Sequence, residues 1–260
     1  MRFLAIGDVI GKPGRIALRE LLPALIETQR IDVVIANAEN SAGGLGTTPE
    51  TADDLLACGV NVVTGGNHTW KHREYGAKLD SDERCLRPVN YPGAPGRGVA
   101  TYTLPDGRRY AVLNAIGRTF MPDLVDDPFH AVDRALGTTD AKVIVVDFHA
   151  EASSEKRAMG HHLDGRVAAM WGTHTHVPTA DEEILQGGTA YLTDVGMTGP
   201  YRSVIGLDPV PSVARFLTGR PSPYKLASED VQLRALIVEV DDTSGRAISL
   251  ERVTRKYPNI

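Results

Sequence analysis

The sequence predicts an α/β fold in which mixed β-sheets are covered by helices on the outside. Three observations carry that expectation. In the first half, short continuous apolar runs alternate with amphipathic stretches, the pattern of buried parallel strands joined by helical crossovers. Hairpin signals replace that alternation in the middle and at the end, so the sheets turn partly antiparallel there. Polar residues of ligand type then recur just where the apolar runs stop, and in open α/β sheets ligands gather at the carboxyl ends of parallel strands.

The elements follow in order. Residues 3–6 form a buried strand ended by Gly7-Asp8, and residues 13–29 place Ile16, Leu18, Leu21, Leu22, Leu25 and Ile26 at helical spacing. The unit repeats: a strand at 33–36 stops at Asn37-Ala38-Glu39-Asn40, and a Gly-rich loop leads to a helix with Thr48 as N-cap and Pro49 at its first position. A strand at 60–63 ends at Gly66-Asn67-His68. After a Pro/Gly-rich loop at 87–97, strands at 99–104 and 109–113 flank the hairpin turn Asp106-Gly107. An acidic, Pro-bracketed loop at 120–128 precedes a helix reaching about Leu136. The run 143–146 is a buried strand ending at Asp147-Phe148-His149, helix resumes from Ser153, and a strand at 167–171 runs into Gly172-Thr173-His174-Thr175-His176. A second hairpin turns at Gly187-Gly188, residues 210–217 form a helix, and strands at 233–240 and 248–254 turn at Ser244-Gly245.

Composition narrows the function classes. At 260 residues a single domain spanning 1–260 has an ample core, and no repeat or linker divides the chain. A net charge of −5 without any basic run lacks the footprint for duplex nucleic acid but suits a small anionic ligand. Cys58 and Cys85 are too few for a disulfide framework, and no apolar stretch is long enough to span a bilayer. A cytoplasmic protein is expected; homo-oligomerisation stays open.

Asp8, Glu39, Asn40, Asn67, His68, His149, His174 and His176 all fall at strand ends. Singly, each has an ordinary role: Asp8 as a helix cap, His149 as a hydrogen-bonded core histidine. Jointly, carboxylate, amide oxygen and imidazole suit borderline divalent cations such as Mn, Fe or Zn, not calcium or a structural zinc site. Eight candidates exceed one ion's needs, and a carboxylate such as Glu39 can bridge two. Two metals about 3.5–4 Å apart generate hydroxide at neutral pH and clamp phosphate oxygens through an in-line displacement. Phosphoester hydrolysis is the reaction class expected.

The ordered blocks Gly7-Asp8, Glu39-Asn40, Gly66-Asn67-His68, His149 and Gly172-Thr173-His174-Thr175-His176 resemble the calcineurin-like metallophosphoesterases. AENSAGGLGTT, GGNHTW and WGTHTHVPTAD resemble, within that superfamily, its bacterial YmdB-like branch. The resemblance implies a four-layer αββα sandwich, a di-metal centre filled most often by iron or manganese, and phosphodiesterase activity, including on 2′,3′-cyclic nucleotides. It also implies roles. Asp8, Glu39, Asn40 and His176 hold one metal, and Glu39 bridges to a second held by Asn67, His149 and His174. His68 is left as the acid that protonates the leaving oxygen. Two positions depart from the broad superfamily: Ile10 stands where a histidine is usual, and Glu39 where the bridging residue is usually Asp.

Around these, the loop 41–47 could offer backbone donors to an anion, though a plain surface loop is as good a reading. Arg118 and Arg202 read as solvated arginines, and Tyr201 and Phe120 as packing residues ahead of base-stacking ones. Phosphomonoesterase or nucleotidase activity, and a regulatory nucleotide-binding role with little turnover, are the alternatives to a diesterase.

Overall fold

The computed structural model describes residues 1–258. In chain order the elements are β1 (Arg2–Ile6), β2 (Asp8–Val9), α1 (Gly11–Gln29), β3 (Val33–Asn37), α2 (Pro49–Ala57), β4 (Val62–Thr64) and α3 (Tyr75–Ser81). They continue as β5 (Val99–Thr103), β6 (Arg109–Ile116), α4 (Pro128–Leu136), β7 (Val143–His149), α5 (Ser153–Leu163) and β8 (Ala169–Thr173). The last are β9 (Glu183–Ile184), β10 (Ala190–Leu192), β11 (Met197–Pro200), α6 (Pro209–Thr218), β12 (Val231–Val240) and β13 (Ala247–Lys256).

Two mixed sheets result. One runs β2-β11-β12-β1-β3-β4 with β13 also on β12, and the other runs β5-β6-β7-β8-β10-β9. Within them β1, β3 and β4 are parallel, as are β6, β7, β8 and β10. Both expected hairpins, β5–β6 and β9–β10, are antiparallel.

Strand alternation explains the layering. Successive side chains leave a strand on opposite faces. Phe3 and Ala5 of β1, with Val33 and Ile35 of β3, therefore meet Tyr110, Val112, Val143 and Val145 of the other sheet in a central core. Their neighbours Leu4, Ile6, Val34 and Ala36 face the other way, onto Leu18, Leu22 and Leu25 of α1 and Leu55 of α2. On the far sheet Ala111, Leu113, Ile144 and Val146 pack on Val132 of α4 and on Met159 and Leu163 of α5. Three cores separate four layers, helix, sheet, sheet and helix, which is the sandwich the resemblance implied.

Three local expectations are corrected. The strand before the histidine motif is shifted two residues forward, to Ala169–Thr173. The helix α3 and the strand β11 escaped the sequence reading; a seven-residue helix containing Gly76 and a Met-Thr-Gly-Pro strand carry no clear periodicity. Phe120 is no packing residue: it is 86% exposed, at φ 62°, where the loop turns its ring outward. Tyr201 does pack, its hydroxyl donating to Met197 O and its ring lying under the Arg234 guanidinium.

Candidate metal centre

All eight candidate residues meet where the carboxyl ends of the two sets of parallel strands converge. Asp8 lies in β2, immediately beyond β1, and is fully buried. It caps no helix: the N-cap of α1 is Ile10, with no side-chain cap bond. Glu39 and Asn40 follow β3, Asn67 and His68 follow β4, His149 ends β7, and His174 and His176 follow β8. Glu39, Asn40 and His149 are buried, whereas the His68 side chain keeps 23% exposure.

Their ligand atoms fall into two groups that share one carboxylate. Glu39, His149 and His174 form one group and Asp8, Glu39 and His176 the other, with all ligand atoms of each group within 4.8 Å of one another. Beside the first, Asn67 Oδ1 stands 3.0 Å from His149 Nε2, and His174 Nδ1 stands 3.0 Å from the same nitrogen. Beside the second, Asn40 Nδ2 lies 3.1 Å from His176 Nε2 and 3.0 Å from Glu39 Oε1.

Each imidazole is held by its outer nitrogen, which leaves the inner lone pair free. Thr173 donates its hydroxyl proton to Asp147 Oδ1 at 2.8 Å, so toward His149 Nδ1, 2.9 Å away, it accepts. His176 Nδ1 donates to the carbonyl of Ile205 at 2.9 Å. His174 Nε2 lies 3.1 Å from the Glu151 carboxylate. Outer-nitrogen partners of this kind fix the tautomer of metal-binding histidines. Aiming three lone pairs and two carboxylates at one spot is repulsive unless cations sit among them. One atom makes the mismatch explicit: Asp8 Oδ1 is buried without any hydrogen-bond partner. The residues therefore fit a pair of divalent cations.

Electrostatics say the same. Burial raises the Asp8 carboxyl to about 6. Burial also works to raise Glu39, but His149 and His68 beside it hold it well below the usual carboxylate range. At His149 burial opposes protonation, yet Glu39, Asp8 and Asp147 outweigh it and push the imidazole up to about 9. His174, buried against His149, is pushed down to about 3. A proton is thus drawn into the acidic pocket at His149, and a cation entering there displaces it.

Backbone and glycine geometry make room. His174 at φ 100° and His176 at φ 65° occupy conformations that L-residues with bulky side chains seldom adopt, a strain common at functional sites. Asp194 pins this turn, accepting from Thr175 N at 3.2 Å and Thr175 Oγ1 at 2.8 Å while pairing with the fully buried Lys156 at 2.6 Å. At Gly66 any Cβ would run into Glu39 Oε2 and the His149 ring, so only glycine fits.

Asp147, Thr173, Asn37, Glu151, Asp194 and Ile205 were missed by the sequence reading. A signal existed for one of them. Asp147 precedes His149 by two residues within β7, so both lie on the same strand face. Replacing Thr173 by valine keeps the shape and removes the hydroxyl that sets the His149 tautomer. Metal affinity is expected to fall by about 10–100-fold, the usual scale for such partners, with folding retained. Competition with a chelator under equilibrium dialysis reads it.

Residues 4–253 match the family model described as YmdB-like protein. The chain belongs to the YmdB-like family. A relative from Bacillus subtilis (strain 168), named 2′,3′-cyclic-nucleotide 2′-phosphodiesterase, is 43% identical over 97% of this chain and 96% of its own length. Among solved structures, a hypothetical protein from Thermus thermophilus superimposes with a TM-score of 0.93 at 44% identity, covering 99% of this chain and all of that one. A phosphatase from Mycoplasma pneumoniae gives 0.92 at 34% identity, covering 98% and 93% of the two chains. The fold and the family are thereby those expected from the sequence. The arginines are as expected too: Arg118 pairs with Asp127 and Arg202 with Glu229, both at exposed positions.

Proposed function

We propose that this protein is a dinuclear metal-dependent phosphodiesterase acting on small diesters such as 2′,3′-cyclic nucleotides. One observation carries the reading: two ligand groups share Glu39, and His68 stands at their edge. Asp8, Glu39, Asn40 and His176 hold one ion; Glu39, Asn67, His149 and His174 hold the other, with iron or manganese the best match to the mixed oxygen and nitrogen donors and zinc a third choice. Bound there, the ions supply positive charge against the phosphate oxygens and a deprotonated water at neutral pH.

The chain's own part lies in positioning and proton transfer. His68 N–H donates to Glu39 Oε2 at 3.1 Å, while its Nδ1 faces Asn40 Oδ1 at 2.7 Å and Glu39 Oε1 at 3.2 Å. The ring is thereby anchored through Nδ1, which leaves Nε2 for the leaving oxygen of the substrate. An alkoxide leaving group is a strong base, and a proton delivered from Nε2 relieves it. No helix among the described residues is long and apolar enough to cross a membrane, and the free thiols of Cys58 and Cys85 fit the reducing cytoplasm.

Comparing bis-p-nitrophenyl phosphate with p-nitrophenyl phosphate tests the choice of reaction. A diesterase favours the diester in kcat/KM by about tenfold or more, some 1.4 kcal/mol of transition-state preference. Preference for the monoester points instead to a phosphomonoesterase on the same centre.

A further inference from the structure

Beside His176 lies a cavity of about 390 Å³ whose remaining walls are Val177, Pro178, Met197, Tyr201, Val204 and Ile205, with Ser203 at its edge. It touches the metal centre only through His176. Its polar groups are already engaged. The Tyr201 hydroxyl donates to Met197 O, the Ser203 hydroxyl donates to Pro200 O and accepts from Gly206 N, and His176 Nδ1 donates to Ile205 O. What the cavity offers is apolar surface, within the size range of small-molecule sites.

Ile205 stands on this surface in a conformation that costs energy. Val204 and Leu207 close a tight turn around Ile205 and Gly206, both at positive φ, 48° and 102°. Asn or Gly suits the first of those positions, and a β-branched residue there is strained. The Ile205 side chain is also 49% exposed, so core packing does not offset that strain. Its neighbour across the cavity, Val177, is 55% exposed. Two exposed aliphatic side chains, one on a strained backbone, form the walls of a hollow next to a candidate metal ligand.

We propose that this cavity receives the base of a nucleotide substrate whose phosphate lies at the metal centre, and that it recognises the base by its flat apolar face and not by its hydrogen-bonding edge. The proposal rests on the phosphodiesterase reading for the placement of the phosphate. With the side-chain donors and acceptors of its walls already engaged, the site tells large bases from small ones and is indifferent between adenine and guanine.

Equilibrium binding to the manganese-loaded protein tests it without any need for turnover. The probes are 3′-AMP, 3′-GMP, 3′-CMP and inorganic phosphate; the variants are Val204→Trp, which fills the cavity, and Val204→Asn, which keeps its volume and makes its wall polar. The two purine nucleotides bind alike and more tightly than 3′-CMP, which binds more tightly than phosphate. Both variants weaken 3′-AMP by about tenfold, the scale set by altering an apolar pocket, and leave phosphate unchanged. The proposal is overturned if nucleotides bind no more tightly than phosphate, if adenine and guanine differ as much as purine and pyrimidine, or if the variants alter only the sedimentation coefficient, which would mark the patch as a contact between copies. Failure of diester turnover with base-dependent binding intact would remove the phosphodiesterase reading and keep the cavity.

Discussion

Glu39→Gln is expected to lower diester hydrolysis by about three orders of magnitude, the consequence of losing several kcal/mol of charge stabilisation, while the protein stays folded. The reason is geometric. Glu39 is the one residue common to both ligand groups, its Oε2 stands 3.1 Å from His149 Nε2, and its Oε1 lies 3.0 Å from Asn40 Nδ2 on the other side. Glutamine fills the same space with one oxygen and one NH₂, so a single end can still face a cation. Bound metal, measured by mass spectrometry after gel filtration, is expected to drop from two ions per chain toward one. In the metal-free protein Glu39 is also the foremost carboxylate holding His149 up at about 9, so the same substitution lowers that titration, visible in the imidazole NMR signals. Retention of two ions and of activity would show that Glu39 is not the bridge.

His68→Ala is expected to cost about 10²–10⁴ in kcat on 2′,3′-cyclic AMP, the range for removing a general acid, with metal content unchanged. His68 belongs to neither ligand group, and its Nδ1 faces Asn40 Oδ1 and Glu39 Oε1. The leaving group discriminates between roles. A p-nitrophenolate departs without help, so a true acid is missed little on bis-p-nitrophenyl phosphate and greatly on a substrate that releases an alkoxide. An equal loss on both substrates, or a loss of metal, would make His68 a residue that merely positions Glu39 and Asn40.

The ligand candidates were legible in the sequence because each follows an apolar strand directly. A polar residue at the end of a buried run is visible without knowing what lies opposite. Asp8 was ambiguous as a possible helix cap, and only the fold, with Ile10 at that cap, removed the ambiguity. The supports of the ligands were not legible. Thr173 matters because β7 and β8 are neighbours in register, His149 opposite Thr173, and Ile205 because a loop 29 residues beyond His176 returns to it. Such pairings belong to the sheet order, which the alternation of runs does not determine. The four layers likewise came from the family resemblance; periodicity indicated only mixed sheets with helices outside. Once the sheets are placed, the two faces of β1, Phe3 and Ala5 against Leu4 and Ile6, account for two of the three cores.

The central claim is tested most directly by following 2′,3′-cyclic AMP with protein that has been stripped of metal and then reloaded with manganese or iron. The expected result is no turnover after stripping and restored hydrolysis to a nucleoside monophosphate, with activity saturating at two ions per chain. Metal-loaded protein that binds the nucleotide yet hydrolyses neither it nor bis-p-nitrophenyl phosphate would contradict the phosphodiesterase and favour a regulatory nucleotide-binding role.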